Sequence, residues 1–271
     1  MKRLILLVFL FLVLALVLLT STAVAQTKTS CSVMTLYGTY GVLEQGAIVV
    51  QLPGFPPPPY PVVLAARALY DGTGNVSGPF KISIAGLQLT GTFTGTYTVS
   101  SDCKYTEEFV ATPPGAFLHD SGVITGDGTF REIHYIYTDF DRVISGIARK
   151  TPPGGCSLKT LKGKYAVFGQ GTIFAPGLPP LLSAHVGPFT ADGAGHLSGS
   201  EDASQGGTPL PATFTGNATI NSDCTASVII SDSIGLVINE WGTITGEGNS
   251  QEFNGIVTDP GWVFAESVKK Q

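Results

Sequence analysis

The sequence predicts an all-β protein made of two tandem antiparallel domains, each an eight-stranded up-and-down barrel stapled by one disulfide. Three observations carry that expectation. The chain repeats itself at a spacing of about 120 residues, its segments alternate apolar and polar residues with a period of two, and its four cysteines fall at matching places in the two copies. A two-sheet sandwich is the alternative arrangement of the same strands.

The chain opens on Lys2-Arg3, an unbroken apolar run from Leu4 to Leu19, and Ala23-Val24-Ala25. A basic start, an apolar core and a small-x-small site form a secretory signal, so residues 1–25 are expected to be removed. An uncleaved anchor is the other reading of the same run. Losing Lys2 and Arg3 takes the net charge from −5 to −7. Such a basic-poor chain is not built for nucleic acid, which needs Lys and Arg clusters. With 43% hydrophobic and only 13% charged residues, it is not a disordered chain either. No later segment is long and apolar enough to span a membrane as a helix, and the destination is secreted or periplasmic.

The duplication runs the length of the remaining chain. Cys31-Ser32-Val33-Met34-Thr35-Leu36-Tyr37-Gly38-Thr39-Tyr40 matches Cys156-Ser157-Leu158-Lys159-Thr160-Leu161-Lys162-Gly163-Lys164-Tyr165. Asp71-Gly72-Thr73-Gly74 matches Asp192-Gly193-Ala194-Gly195, and Ser101-Asp102-Cys103 matches Ser222-Asp223-Cys224. Ile124-Thr125-Gly126-Asp127-Gly128 matches Ile244-Thr245-Gly246-Glu247-Gly248. The offset drifts only from 125 to 120, which places the first domain at 31–150, a linker at 151–155 and the second domain at 156–270. Matching positions make Cys31–Cys103 and Cys156–Cys224 the simplest pairing in an oxidising compartment.

Within the first copy, turn residues divide the chain into strands near 37–50, 61–70, 75–85, 89–100, 103–112, 116–125, 129–138 and 142–149. Thr92-Phe93-Thr94-Gly95-Thr96-Tyr97-Thr98-Val99 alternates strictly, with the threonines on one face, and Thr213–Ile220 repeats the pattern. Asp71-Gly72, Ser101-Asp102 and Asp127-Gly128 are short turn signals, since glycine takes positive φ freely. Short connections between successive strands favour a meander, and eight strands can close and remove the exposed edges.

The segments Leu36-Tyr37-Gly38-Thr39-Tyr40 and Leu161-Lys162-Gly163-Lys164-Tyr165 resemble the Gly-x-Trp opening of lipocalins and related calycin barrels, with Tyr in place of Trp. Allene-oxide-cyclase-like barrels are a second architectural relative, and the tandem layout resembles secreted proteins of environmental bacteria. The calycin resemblance implies a barrel with a lumen for a small apolar ligand. The others imply a barrel without naming an activity.

Candidate sites are few. Pro53-Gly54-Phe55-Pro56-Pro57-Pro58-Pro59-Tyr60-Pro61 favours polyproline II, and would display Phe55 and Tyr60 on a stiff loop as a lid or docking segment, or act as a plain spacer. Ala175–Leu182 is its shorter counterpart. Glu132 and Glu252 occupy equivalent places, with His134 two residues after the first. Glu132 and His134 would form an acid–base pair if that face lined a lumen, or sit in solvent if it did not. Asp71 and Asn75 read as a hairpin turn or as oxygen ligands for calcium. His119, His134, His185 and His196 show no metal-binding spacing, and no nucleophile elbow or phosphate-cradling loop is present. The expectation is therefore no metal, no cofactor and no catalytic residue. The leading function is binding of a small apolar ligand. A structural protein contacting an extracellular partner, and a barrel isomerase or cyclase, stand as alternatives.

Overall fold

The computed structural model describes residues 30–271, residue 114 aside, and the predicted signal at 1–25 lies outside the described residues. The first barrel is formed by β1 (Gly38–Ile48), β2 (Tyr60–Tyr70), β3 (Asn75–Ile84), β4 (Leu87–Val99), β5 (Lys104–Thr112), β6 (Ala116–Thr125), β7 (Glu132–Tyr137) and β8 (Arg142–Lys150). The second is formed by β9 (Lys162–Ile173), β10 (Leu181–Asp192), β11 (His196–Gln205), β12 (Thr208–Ile220), β13 (Thr225–Asp232), β14 (Val237–Thr245), β15 (Glu252–Val257) and β16 (Trp262–Lys270). Every strand pairs with its sequence neighbour, and the ladders β1–β8 and β9–β16 close each sheet on itself. The barrel, rather than the sandwich, is the architecture. Closure leaves no sheet edge with unpaired backbone groups.

The period-two pattern sets the inside and outside of each wall. Phe93 and Tyr97 are buried while Thr92, Thr94, Thr96 and Thr98 are exposed, and Phe214 and Ala218 repeat this against Thr213, Thr215 and Thr219. The turn at Asp71 is held by its own carboxylate: Oδ1 accepts from the backbone N–H of Thr73 at 2.7 Å and of Asn75 at 2.9 Å, while Oδ2 takes the Thr73 hydroxyl at 2.6 Å. Both oxygens are thus occupied by the turn's own donors. Gly72 and Gly74 supply φ of +77° and +111°. Most predicted boundaries agree to within two residues, and the seventh strand differs most. The strand expected over 129–138 begins only at Glu132, because Gly126 and Gly128 have positive φ and fold Gly128–Phe130 into a 3₁₀ turn.

Both predicted disulfides form, Cys31–Cys103 and Cys156–Cys224, with Cα–Cα distances of 5.0 and 4.8 Å. Each ties a short 3₁₀ turn, Val33–Leu36 or Leu158–Thr160, to the wall of its barrel. In both turns a threonine hydroxyl accepts the N–H of the preceding serine, Thr35 from Ser32 and Thr160 from Ser157. Leu36 and Tyr40 are wholly buried beside the first turn, as Tyr165 is beside the second. Two disulfides fit an oxidising, extracytoplasmic environment. Among the described residues no helix is long and apolar enough to cross a membrane.

The two barrels are in contact. Leu43, Val63 and Ala65 from the outer wall of the first pack with Ile256, Val263 and Ala265 from the second in one apolar cluster. Backbone and side-chain bonds flank it: the Gly261 N–H donates to Gly86 O at 2.8 Å, and the Gln88 amide donates to the carbonyls of Asp259 and Trp262. At the linker, Thr151 donates its N–H to Thr39 O at 2.9 Å.

Candidate functional site

The two lumens differ. The first barrel encloses a cavity of about 400 Å³, whereas the space inside the second is about 40 Å³. The register explains the difference. Ala68 stands opposite Tyr40 in the first barrel, while Phe189 stands opposite Tyr165 in the second and stacks on it with centroids 5.3 Å apart. Ile144 is replaced by Phe264, which packs against His185 at 5.4 Å. At these two positions the second barrel carries the larger side chain.

The first cavity is walled on β2, β3 and β4 by apolar side chains such as Leu64, Phe80, Ile82 and Phe93, and its mouth lies at the end where the Pro-rich loop brings in Leu52, Pro53 and Phe55. Its polar side is built from the other strands. Glu44 on β1, Glu107 on β5 and Asp120 on β6 all line the cavity, and each is 5% exposed. Tyr135 donates its hydroxyl to Glu44 Oε1 at 2.7 Å and Tyr137 to Oε2 at 2.9 Å. Tyr70 donates to Glu107 Oε2 at 3.1 Å, and Tyr105 donates to the same oxygen. Asp120 receives no such donor, and its Oδ1 is buried without a partner. At the rim, Arg142 is engaged by Asp141, with Nε and Nη2 each 2.6 Å from a carboxylate oxygen.

Burial dominates the electrostatics. It pushes the Glu44 carboxyl up to about 7, against the opposing pull of the two tyrosine hydroxyls and of Arg142. Glu107 is raised by burial, opposed by Tyr70 and reinforced by the charge of Glu44. Asp120 is raised by burial and then by Glu107 and Glu44. Tyr70, Tyr135 and Tyr137 are pushed well above 10 by burial and by these carboxyls, so they remain hydrogen-bond donors at neutral pH.

The residues singled out from the sequence fall in three places. Phe55 lines the cavity mouth. Tyr60 is not displayed, as a stiff exposed loop would have it. It is 1% exposed beneath that loop, packs edge-on against Phe55 at 5.4 Å, accepts the Leu52 N–H at 3.3 Å and donates to Pro56 O. The Pro-rich loop closes on Tyr60, the first residue of β2, whose hydroxyl ties Leu52 to Pro56. Glu132, His134 and Glu252 lie outside both lumens. Inward positions on β7 are taken by Ile133, Tyr135 and Tyr137, leaving Glu132 and His134 on the outer wall. There Arg149 bridges Glu132 at 2.6 Å and Glu252 of the second barrel at 3.1 Å, and His134 reaches Glu132 at 3.0 Å.

The carboxyls inside the lumen were not singled out from the sequence. A usable signal exists: Tyr105-x-Glu107-x-Phe109 and Leu118-x-Asp120 each place an acid on the apolar parity of a strand.

The two loop residues separate in a mutational test. Tyr60→Phe removes the buried hydroxyl and is expected to cost about 1 kcal/mol, with faster proteolysis of the Pro-rich loop. Phe55→Ser, at the rim, is expected to leave the melting temperature nearly unchanged while weakening apolar probes. Thermal melts and limited proteolysis check both, and equal destabilisation by the two would contradict the placement.

No known family profile matches the chain, and no curated protein matches it.

Proposed function

We propose that this is a non-catalytic binding protein of an extracytoplasmic compartment, whose first barrel holds one small apolar ligand in its lumen. The cavity of about 400 Å³ carries this reading, because it is apolar on one side, has a few convergent polar groups on the other and is bordered by Leu52, Pro53 and Phe55 of the Pro-rich loop. The calycin-like opening of each repeat points the same way. The close-packed second lumen supports a structural role for that half, as a partner that covers the outer wall of β1 and β2. An isomerase or cyclase using Glu132 or Glu252 gains no support from their position on the outer wall, tied to Arg149.

The test is titration with N-phenyl-1-naphthylamine, a neutral fluorophore that brightens in apolar surroundings. One site per chain is expected. Ala68→Phe copies the residue that fills the second lumen and is expected to weaken binding about tenfold or more, since overpacking a full site costs about 1–3 kcal/mol. Binding that is absent, or indifferent to Ala68→Phe in a folded variant, would remove the lumen as the site. Native mass spectrometry of the purified protein would reveal any co-purifying molecule directly.

A further inference from the structure

We propose that the lumen of the first barrel takes an organic cation, a ligand with an apolar body and one protonated amine or similar head seated among Glu44, Glu107 and Asp120. This rests on the lumen being a binding site and adds the chemistry of what enters it.

The three carboxyls arrive from three strands at one cavity. Glu107 and Asp120 are direct partners across the β5–β6 ladder, a pairing that two like charges disfavour. The tyrosines satisfy Glu44 and one oxygen of Glu107, but Asp120, which also lines the cavity, keeps its Oδ1 buried without a partner. A buried acceptor without a donor is costly, and a ligand N–H placed there would supply the missing donor and the missing charge together. The arginine at the rim does not serve, since Asp141 already holds it in a two-pronged pair.

The second barrel meets part of the same problem from within, with Glu240 Oε1 still buried without a partner. Its lumen also carries carboxyls, Glu201, Glu240 and Glu266, but His185 is inserted among them. Its Nδ1 lies 3.7 Å from Glu201 and its Nε2 lies 3.4 Å from Glu266. His185 faces Gly169 across the β9–β10 ladder, where the first barrel sets Leu64 against Glu44. One copy therefore carries its own basic group among its acids and has almost no free space. The other has acids, a leucine where the base stands, and a cavity. An external base with an apolar body restores the missing partner.

A metal ion is a poorer occupant. No group of three or more His, Cys, Asp or Glu among the described residues is placed to hold one. Four tyrosine rings and an apolar wall suit a soft organic cation, which aromatic faces attract.

Isothermal titration at pH 7 with three ligands sharing one body decides the matter: 1-naphthylmethylamine, 1-naphthylmethanol and 1-naphthoate. The amine is expected to bind at least about tenfold more tightly than the alcohol, with naphthoate weakest. Asp120→Asn and Glu107→Gln are each expected to remove about tenfold of the amine's affinity while changing the alcohol's by less than about threefold. Leu64→His, which copies His185, is expected to abolish the preference for the amine. A wild type that binds N-phenyl-1-naphthylamine but shows no preference for the amine, or favours naphthoate, overturns the cation assignment and leaves the lumen site standing. A preference that survives both Asp120→Asn and Glu107→Gln also overturns it. A wild type that binds neither the fluorophore nor any of the three overturns both readings.

Discussion

Raising the pH from 5 to 8 is expected to destabilise the ligand-free protein, the reverse of the usual behaviour of a chain whose carboxylates are paired. Burial raises Glu44 and Glu240 to about 7, and raises Glu107, Asp120 and Glu266 as well. A carboxyl that stays protonated in the fold but ionises in the unfolded chain makes the folded state the greater proton binder, so stability falls as pH rises. The contribution is fully present below the ordinary carboxylate values of 4.5 and 3.8 and is lost as pH climbs through the raised ones. Each retained proton contributes a slope of about 1.4 kcal/mol per pH unit inside that window. Asp71 and Asp192 work in the opposite sense. Their carboxylates are held low by hydrogen bonds within their turns, and that stabilisation is lost only as pH falls below the usual carboxylate range. The optimum is therefore expected near pH 4–5. Urea denaturation across pH 4–8 measures it, and Glu44→Gln should flatten the slope between pH 5 and 7 by about one proton. A midpoint that does not move between pH 5 and 8 would show that the lumen carboxyls are hydrated and already ionised.

Removing either disulfide is expected to be comparably severe. The bridges close separations of 72 and 68 residues, for which chain entropy predicts about 4 kcal/mol each. In a domain pair of this size one kcal/mol moves the melting temperature by about 2–4 °C, so Cys156→Ser with Cys224→Ser should lower it by about 8–16 °C. Both bridges carry a second consequence. Cys103 and Cys224 sit at φ of +67° and +69°, where a side chain is unfavourable, so the serines left by the mutations would occupy strained positions without the cross-link. Calorimetry of the two double mutants checks the figure. A shift of only a degree or two would mean that strand closure and the shared apolar cluster already constrain the chain.

Much of the fold is legible along the chain because it is local. Thr92–Val99 shows its inside and outside face by alternation, Asp71 with its glycines writes a turn, and the repeat pairs four cysteines. The site is less legible because its members are not neighbours. Glu44, Glu107 and Asp120 stand on three strands, and an acid on a strand reads as solvent-facing until closure shows which parity points inward. Glu132 and His134 show the same ambiguity resolved the other way, onto the outer wall. Tyr60 reads as displayed because its neighbours are prolines, yet the loop folds back and buries it.

The sequence by itself determined that the protein is all-β, duplicated, stapled once per copy and built from eight strands in each half. Those are consequences of side-chain alternation, glycine conformational freedom and matched cysteine positions, which act over a few residues or are copied by the repeat. Only the tertiary structure decided that one lumen is open and the other filled, and that three acids share the open one. Cavity volume is what remains after inward side chains from all eight strands meet. Exchanges such as Ala68 for Phe189 and Leu64 for His185 leave the strand pattern unchanged while altering what the barrel can contain.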